Sequence, residues 1–339
     1  LFDYAEACLH RDDIDEKLAL THEATQLVSE GRLSLDPSAP IRPIAEVRFP
    51  MRPRLLPPQQ MPKRKLTTSE GVAAFFHAIA HVEFIAIYLA WDLLYRFRGL
   101  PVIDAARCPD GCQACAQACP TDAIRAEAGA LKVDLGRCLF CSDCADACPE
   151  GALGFSTEYR LATRTRDGLI FDGGTLELAR KLEGRLHRLY GRSLKLRQVS
   201  AGGCNGCEAD VNVLGTVVFD LGRFGIQVVA SPRHADGLLI TGPVSENMKL
   251  ALKKTYEALP FPRIVIAVGA CAISGGPYLD HVEVCNGADS VVPVDLYIPG
   301  CPPSPWTILD GLLRLMGQLE DQGRVPTSAQ TAGASPAAT

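Results

Sequence analysis

Two dense runs of cysteine constrain this chain more than any other part of its sequence. The first reads CPDGCQACAQACP and the second reads CLFCSDCADACP, and their similarity indicates an internal duplication. No secretory signal opens the sequence, so we expect a reducing compartment, in which clustered cysteines are metal ligands rather than disulfides. The cysteines of the two runs are Cys108, Cys112, Cys115, Cys119, Cys138, Cys141, Cys144 and Cys148.

The spacing of these cysteines predicts iron–sulfur clusters. The second run has the full C-x2-C-x2-C-x3-C-P spacing of bacterial ferredoxins, in which three thiolates bind one cubane and the fourth binds the other. The predicted ligand sets are Cys108, Cys112, Cys115 and Cys148 for one [4Fe–4S] cluster and Cys138, Cys141, Cys144 and Cys119 for a second. The first run has one extra residue before Cys112, which we expect a turn at Gly111 to absorb. Two structural zinc sites, the alternative, also use four thiolates but do not normally show this spacing twice.

From about residue 194 the sequence changes to short β-rich runs that alternate with helical ones, the pattern of a parallel α/β sheet. The β-rich runs are LKLRQVS, IQVVAS, DGLLITG, RIVIAVGA and VVPVDLYIPG. Cys204, Cys207, Cys271 and Cys301 follow three of these runs, and loops at the carboxyl ends of parallel strands meet at one edge. The four thiols therefore predict a third [4Fe–4S] cluster. A flavodoxin-like anion cradle at the glycine-rich loop is the alternative, but it leaves the four cysteines unexplained.

Residues 194 to about 320 resemble the small subunit of membrane-associated [NiFe] hydrogenases, the group that is related to respiratory complex I and includes formate hydrogenlyase. The resemblance rests on GGCNGCEADV, HADGLLITGPV, VGACAISGG and VPVDLYIPGCPPSP. It implies a flavodoxin-like parallel α/β domain whose four cysteines hold the cluster proximal to the active site. The related complex I subunit has two adjacent cysteines at the first site, whereas Asn205 and Gly206 separate them here, which favours the hydrogenase group. The preceding cysteine runs are similar to the electron-carrying subunit of the same complexes, here fused into one chain.

The resemblance also implies a role. Once twelve of the 14 cysteines are assigned, only Cys8 and Cys285 remain, and the nickel–iron centre of this group needs two C-x-x-C pairs. We therefore expect an electron-transfer subunit that links a separate [NiFe] large subunit to a redox donor or acceptor protein. Membrane subunits are the other expected partners, and the cytoplasmic face of the cytoplasmic membrane the expected location. A complex I-like NADH-quinone oxidoreductase subunit and a redox-sensing or assembly protein are the alternatives.

Other ligands have less support in the sequence. No G-x-G-x-x-G loop follows a strand, so nicotinamide binding is not expected. The net charge of -5 gives no sign of a nucleic-acid partner. Cys285 matches no ligand motif, and we interpret it as a non-ligand thiol. The resemblance implies a proton-route role for Glu208, but a carboxylate that stabilises a helix N-terminus is an equal alternative.

The first hundred residues differ in kind from the rest. LDPSAPIRPIAE and HAIAHVEFIAIYLAWDLLYRF resemble the N-terminal part of an uncharacterised bacterial ferritin-like family, whose folds bind two metals between helices. His77 and His81 share one helix face, but Glu83 lies well around the helix from both, so no metal site is predicted here. The later helices of such a bundle do not follow, because the cysteine runs begin almost at once, which suggests either a truncated module fused near residue 98 or an artificial joining of two genes.

The most apolar stretch, Val72 to Tyr95, suggests a membrane helix, but its histidines and carboxylates would be costly in lipid and favour a buried helix. The overall prediction is a multi-domain α/β chain with a mostly α N-terminal segment. The predicted divisions are a truncated ferritin-like segment at 1–98, a 2[4Fe–4S] ferredoxin-type domain at 99–160, a linker with an amphipathic helix (174–190) at 161–193, a small-subunit-like domain at 194–322 and a disordered tail at 323–339.

Overall fold

The computed structural model describes the N-terminal thirty residues and nearly all of the chain beyond residue 98. The described residues are 2–33, 48, 98–109, 111–127, 130–191, 193–319 and 324–325. The chain divides into two compact units, Leu1–Phe97 and Arg98–Thr339. The predicted helix at 70–95, with its two histidines and Glu83, lies outside the described residues.

The described part of the first unit is a pair of helices, α1 (Phe2–His10) and α2 (Ile14–Ser29). Helix α2 begins at a side-chain cap, because the Asp13 carboxylate accepts a hydrogen bond from the Glu16 backbone N–H at 2.9 Å. Lys17 on α2 is buried, and its Nζ donates to the Cys8 carbonyl at 2.5 Å. Burial lowers the pKa of Lys17 to about 8.

The second unit begins with the two cysteine runs, which fold in the same way. Each run places its third cysteine on a short helix and its fourth just after that helix. This shared local structure agrees with the duplication in the sequence. The elements are β1 (Pro101–Ile103), a 3₁₀ turn (Ala105–Arg107), α3 (Ala114–Ala118), β2 (Ile124–Glu127), β3 (Ala130–Asp134), α4 (Asp143–Asp146) and β4 (Leu153–Phe155). Strands β1 and β4 pair antiparallel, as do β2 and β3.

The predicted linker is part of the fold rather than a spacer. Strand β5 (Ile170–Phe171), which follows a 3₁₀ turn (Asp167–Leu169), extends the β2–β3 hairpin. Strand β6 (Leu176–Glu177) pairs with β12 (Arg324–Val325). The helix predicted over 174–190 is therefore wrong in its first half, and α5 spans only Gly184–Tyr190. Gly184 has φ +54°, a left-handed conformation through which a right-handed helix does not continue.

The tail prediction also needs a correction. Residues 324–325 belong to β12, so the disorder predicted from 323 does not hold there, and the rest of the tail lies outside the described residues. Pairing with β6 gives this short strand backbone partners that its composition does not reveal. Across the described part of the chain, no helix is both long and apolar enough to cross a membrane.

A five-stranded parallel sheet forms the rest of the second unit, as predicted. Its strands are β7 (Leu194–Ser200), β8 (Ile226–Val228), β9 (Gly237–Thr241), β10 (Ile264–Val268) and β11 (Leu296–Ile298). They lie in the order β11-β10-β9-β7-β8. Every residue of β9 and β10 is buried, as expected for continuous apolar strands that are covered on both faces. The order reverses between β7 and β9, where parallel sheets commonly bind ligands.

Helices cover this sheet and begin close to the strand ends. They are α6 (Gly206–Val213), α7 (Glu246–Glu257), α8 (Ala270–Ser274) and α9 (Pro305–Met316), with 3₁₀ turns at Leu221–Phe224, Pro232–His234 and Gly276–Tyr278. Helix α9 starts at a cap in which Ser304 Oγ accepts the Thr307 backbone N–H at 3.2 Å. Nearly all of α9 is buried, which makes it part of the core.

One buried apolar cluster joins the cysteine-rich half to the sheet half. It contains Leu131 and Leu135 from the first half and Leu238 and Ile240 from the second. Thr163 forms an antiparallel bridge to Tyr297, with backbone hydrogen bonds of 3.0 and 2.9 Å between the two residues. The two halves therefore share a core, although each has its own sheet.

Candidate metal centres

The sequence assigns the twelve predicted ligand cysteines to three groups. Site A is defined as Cys108, Cys112, Cys115 and Cys148; site B as Cys119, Cys138, Cys141 and Cys144; and site C as Cys204, Cys207, Cys271 and Cys301. In the described residues, no three His, Cys, Asp or Glu side chains converge closely enough to ligate a single metal ion.

All four thiols of site B line one cavity, whose other walls are mostly apolar and include Val133 and Phe155. Burial raises the pKa of Cys138 and of Cys144 to about 12, so without a metal both are neutral at physiological pH. The neighbouring cysteines of the site contribute to both shifts. An apolar cavity ringed by four thiols fits a group that binds thiolates and is kept from water.

The loop of the second run is shaped to turn its thiols inward. Phe140 and Ser142 have φ of +55° and +72°, a left-handed conformation that is uncommon outside glycine. The Phe140 N–H donates to Cys138 Sγ at 3.3 Å. The Ala123 N–H likewise donates to Cys119 Sγ at 3.2 Å. Backbone N–H groups aimed at sulfur are the donors that stabilise thiolate charge in iron–sulfur sites.

Site A repeats part of this arrangement. Burial raises the pKa of Cys115, and the charges of Cys108 and Cys148 also raise it. Burial also opposes ionisation of Cys148, but backbone N–H groups, including that of Ala152 at 3.2 Å, outweigh it and lower its pKa. Gly111 has φ +75° in a turn, so the extra residue of the first run is absorbed where the sequence suggested.

Site C lies at the carboxyl ends of the sheet strands. Cys204 and Cys207 flank the start of α6, Cys271 lies on α8, and Cys301 follows β11. Burial raises the pKa of Cys207, and the charges of Cys271 and Cys301 raise it further. Burial also raises the pKa of Cys271, to about 12. The structure thus brings together four thiols that are far apart in sequence.

Glycines leave the room that these thiols need. A Cβ at Gly269, whose φ is +90°, would lie 2.5 Å from Cys207 Sγ. A Cβ at Gly276, whose φ is +54°, would lie 2.9 Å from Cys271 Sγ. Glycine is required at both positions for two reasons: the backbone has a positive φ, and a sulfur atom approaches closely.

Glu208 is buried beside site C, and one of its carboxylate oxygens accepts two hydrogen bonds. Its Oε1 accepts hydrogen bonds from Ser200 Oγ at 2.6 Å and from Thr241 Oγ1 at 2.7 Å. Burial raises its pKa, but the two hydroxyl donors outweigh burial, and the net shift is downward. The carboxylate therefore ties the ends of β7 and β9 to α6, and its proton-route role stays a prediction. Sequence reasoning missed both hydroxyl partners, although each is the last residue of a strand.

The two remaining cysteines lie apart from these groups. Cys8 is buried in the first unit. Cys285 Sγ donates to Glu246 Oε1 at 3.1 Å, and the same carboxylate accepts from Lys249 Nζ at 3.0 Å. Burial, followed by the Glu246 hydrogen bond, raises the pKa of Cys285.

Electrostatic interactions link site B to each of the other two sites. Burial raises the pKa of Cys144 of site B, and Cys115 of site A is among the thiols that raise it further. Burial likewise raises the pKa of Cys301 of site C, and Cys141 of site B adds to the shift. Site B is thus the electrostatic neighbour of both other sites, an order that local spacing in the sequence does not reveal.

A ferredoxin-type fold joined to a parallel sheet with cysteines at its strand ends defines a class, the iron–sulfur subunits of oxidoreductase complexes. Residues 204–315 match the family described as "NADH ubiquinone oxidoreductase, 20 Kd subunit", and residues 107–153 match the "4Fe-4S dicluster domain". The chain belongs to the family of this 20 kDa subunit. Residues 10–107 match a protein family of unknown function.

Three relatives illustrate the range of the family. Formate hydrogenlyase subunit 7 of Escherichia coli is 41% identical over 48% of this chain and 64% of the relative, so the chain spans less than two thirds of its length. A probable membrane-bound hydrogenase subunit of Pyrococcus furiosus is 40% identical over 43% of this chain and 91% of the relative. An NADH-quinone oxidoreductase subunit of Heliobacterium modesticaldum is 42% identical over 35% of this chain and 69% of the relative.

Proposed function

We propose that this chain is the electron-transfer subunit of a complex I-related [NiFe] hydrogenase, with [4Fe–4S] clusters at sites A, B and C. The observation that carries the proposal is that all four thiols of site B line one mostly apolar cavity, in the same compact unit as the cysteines of sites A and C. Site B would lie between the other two sites, so that an electron entering at A or at C would pass through B. The hydrogenase relatives and the separated Cys204–Cys207 pair support this choice over complex I.

The residues present fit such clusters. When bound, each cluster supplies reversible one-electron transfer, at potentials within roughly -700 to +450 mV. The thiols would bind as thiolates, so that cluster assembly would release protons from groups that are neutral in their absence. The N–H donors at Cys119, Cys138 and Cys148 would stabilise the sulfur charge, and the apolar wall of site B would exclude water.

The proposed partner at site C is a [NiFe] large subunit. Cys204 is exposed, and Trp306, five residues after Cys301 near the start of α9, is 52% exposed. A subunit that covered this face would bury these side chains and exclude oxygen and water from the cluster. Two relatives are named for formate hydrogenlyase and membrane-bound hydrogenase, which supports membrane subunits as further partners and the cytoplasmic membrane face as the location.

Hydrogen-dependent dye reduction tests the proposal. The purified chain should reduce no dye with hydrogen, because its two remaining cysteines cannot supply the four thiolates of a nickel–iron centre. Added large subunit should restore activity. Activity from the chain alone would contradict the assignment.

Co-purification separates the alternatives. If NADH-quinone oxidoreductase subunits, and not a hydrogenase large subunit, co-purify with the chain, the complex I alternative is correct. Clusters without any co-purified oxidoreductase subunit would favour the redox-sensing alternative.

The division of the chain is part of the proposal. We infer a ferritin-like origin for residues 1–98 from the sequence resemblance alone; residues 10–107 match a family of unknown function. Because helix periodicity predicts that Glu83 lies well around the helix from His77 and His81, this segment should hold no stoichiometric metal. Anaerobic metal analysis of the separated segment tests the point, and a bound pair of metal ions would contradict it.

A further inference from the structure

A buried hydrogen bond joins a segment of site B to a segment of site C. Ser274 Oγ donates to the Gly136 carbonyl at 2.9 Å. Ser274 ends α8, three residues after Cys271 of site C, and Gly136 lies two residues before Cys138 of site B. Ser274 Oγ also lies 3.1 Å from the Ala270 carbonyl of its own helix, so Gly136 is its nearer acceptor. The bond therefore connects two ligand-bearing segments that are far apart in sequence.

The contact at Gly136 leaves no space for a side chain. A Cβ at this position would lie 2.7 Å from Ile273 Cγ2 and 2.9 Å from Arg166 Nη1. Ile273 belongs to the same short helix as Cys271. Glycine is thus required here by the close approach of α8 to the backbone of the ferredoxin-type half.

The turn that carries Gly136 is itself rigidly held. The Asp134 carboxylate accepts the Gly136 N–H at 2.9 Å, and it accepts two parallel hydrogen bonds from Arg166 at 2.8 and 2.6 Å. The Cys138 N–H donates to the Asp134 carbonyl at 3.0 Å. A bidentate arginine–carboxylate pair fixes geometry as well as charge. A shift of Gly136 against α8 would therefore be transmitted to Cys138 instead of being absorbed by the loop.

We propose that Gly136 and Ser274 are positioning residues that set the distance between the cluster at site B and the cluster at site C. The proposal rests on the proposed cluster sites. Electron transfer between two clusters and the magnetic interaction between them both weaken steeply with separation. In this chain the separation would be fixed by an intramolecular contact within the core that the two halves share, rather than by the docking of two subunits.

The test compares two position variants with two matched controls in the full chain. Gly136→Ala adds the methyl group that meets Ile273, and Ser274→Ala removes the hydroxyl. Gly154→Ala is the glycine control, because a Cβ there has no atom within 4 Å. Ser290→Ala is the serine control, because Ser290 Oγ donates only to carbonyls of its own loop, at 2.6 and 2.9 Å. Each protein is reduced anaerobically with a strong chemical donor, and iron content and the paramagnetic spectrum are measured.

We expect full iron content in all four variants. The broadening of the site C signal by reduced site B should be lost or weakened in the two position variants and unchanged in the controls. Unchanged broadening in Ser274→Ala at full iron content would overturn the proposal, and so would loss of iron in that variant, since the contact would then serve assembly. If Gly136→Ala loses iron, the result for Ser274→Ala alone decides whether the contact positions the two clusters. If the unmodified chain lacks two interacting clusters, the proposed cluster sites are themselves wrong. This outcome differs from failure of the positioning role, in which the unmodified chain shows the interaction and Ser274→Ala leaves it unchanged.

Discussion

Replacing Gly269 by alanine should remove the cluster at site C and leave the other two. The new methyl carbon would lie 2.5 Å from Cys207 Sγ, closer than side-chain carbons approach sulfur, so this thiol must leave its position. The backbone adds a second cost, because alanine at φ +90° is strained by about 1–3 kcal/mol. A folded chain of ordinary stability, about 5–15 kcal/mol, tolerates that strain. The displaced ligand is therefore expected to cost the cluster and not the fold.

Anaerobic iron analysis with low-temperature paramagnetic spectra measures this effect. The variant should lose about four of about twelve iron atoms per chain, since each Cys₄ site holds a four-iron cluster. Gly222→Ala is the matched control in the same half of the unit, because the nearest atom to a Cβ there is 4.0 Å away. Full iron content with an unchanged site C signal in Gly269→Ala would refute the reasoning that a methyl group at this position displaces the Cys207 thiol.

Three further predictions concern the thiols and the boundary of the unit. Cys301→Ala should abolish the paramagnetic signal of site C and electron transfer to the large subunit. Cys285→Ala should leave all clusters intact, and loss of a cluster signal in Cys285→Ala would show that the ligand assignment is wrong. A chain that begins at Gly99 should fold and carry every cluster, because no assigned ligand precedes it, and failure of cluster assembly would place the earlier residues in the functional fold. The pKa of Cys138 and Cys144 is raised from 9.0 to about 12 by burial, so the cluster-free chain should be stable below about pH 9 and lose stability as pH rises towards 12. Thermal melting of cluster-free protein between pH 7 and 11 checks this trend, and a flat profile would contradict it.

Local patterns in the sequence predicted the features that depend on local spacing. The turn at Gly111 follows from the spacing of residues within a few positions of one another. The parallel sheet was predictable for a related reason, since β9 and β10 are continuous apolar runs that only two-sided burial explains.

The errors arose where distant segments decide the structure. Leucines at 176, 178, 182, 186 and 189 suggest one helix from 174 to 190, but pairing with β12 holds the first of them in a strand. The partner strand, Arg324–Val325, lies in a segment whose composition predicts disorder. Composition and periodicity describe a segment by itself, so neither could reveal this pairing.

The same limit applies to the candidate sites. The assignment of the cysteines to three sets of four follows from motif spacing and from strand order. The electrostatic link of site B to both other sites does not follow from either. Ser274 and Gly136 are 138 positions apart, and no pattern in the sequence pairs them, although Ser274 lies in the VGACAISGG segment that carries Cys271. The partners of Glu208 also come from two strands that only the fold brings together.

Iron, acid-labile sulfide and zinc per chain, measured after anaerobic purification, test the central claim most directly. Three four-iron clusters on Cys₄ sites predict about twelve iron atoms and about twelve sulfides per chain, with little zinc. Tightly bound zinc with little iron and no labile sulfide would contradict the account and favour structural zinc sites in the duplicated runs.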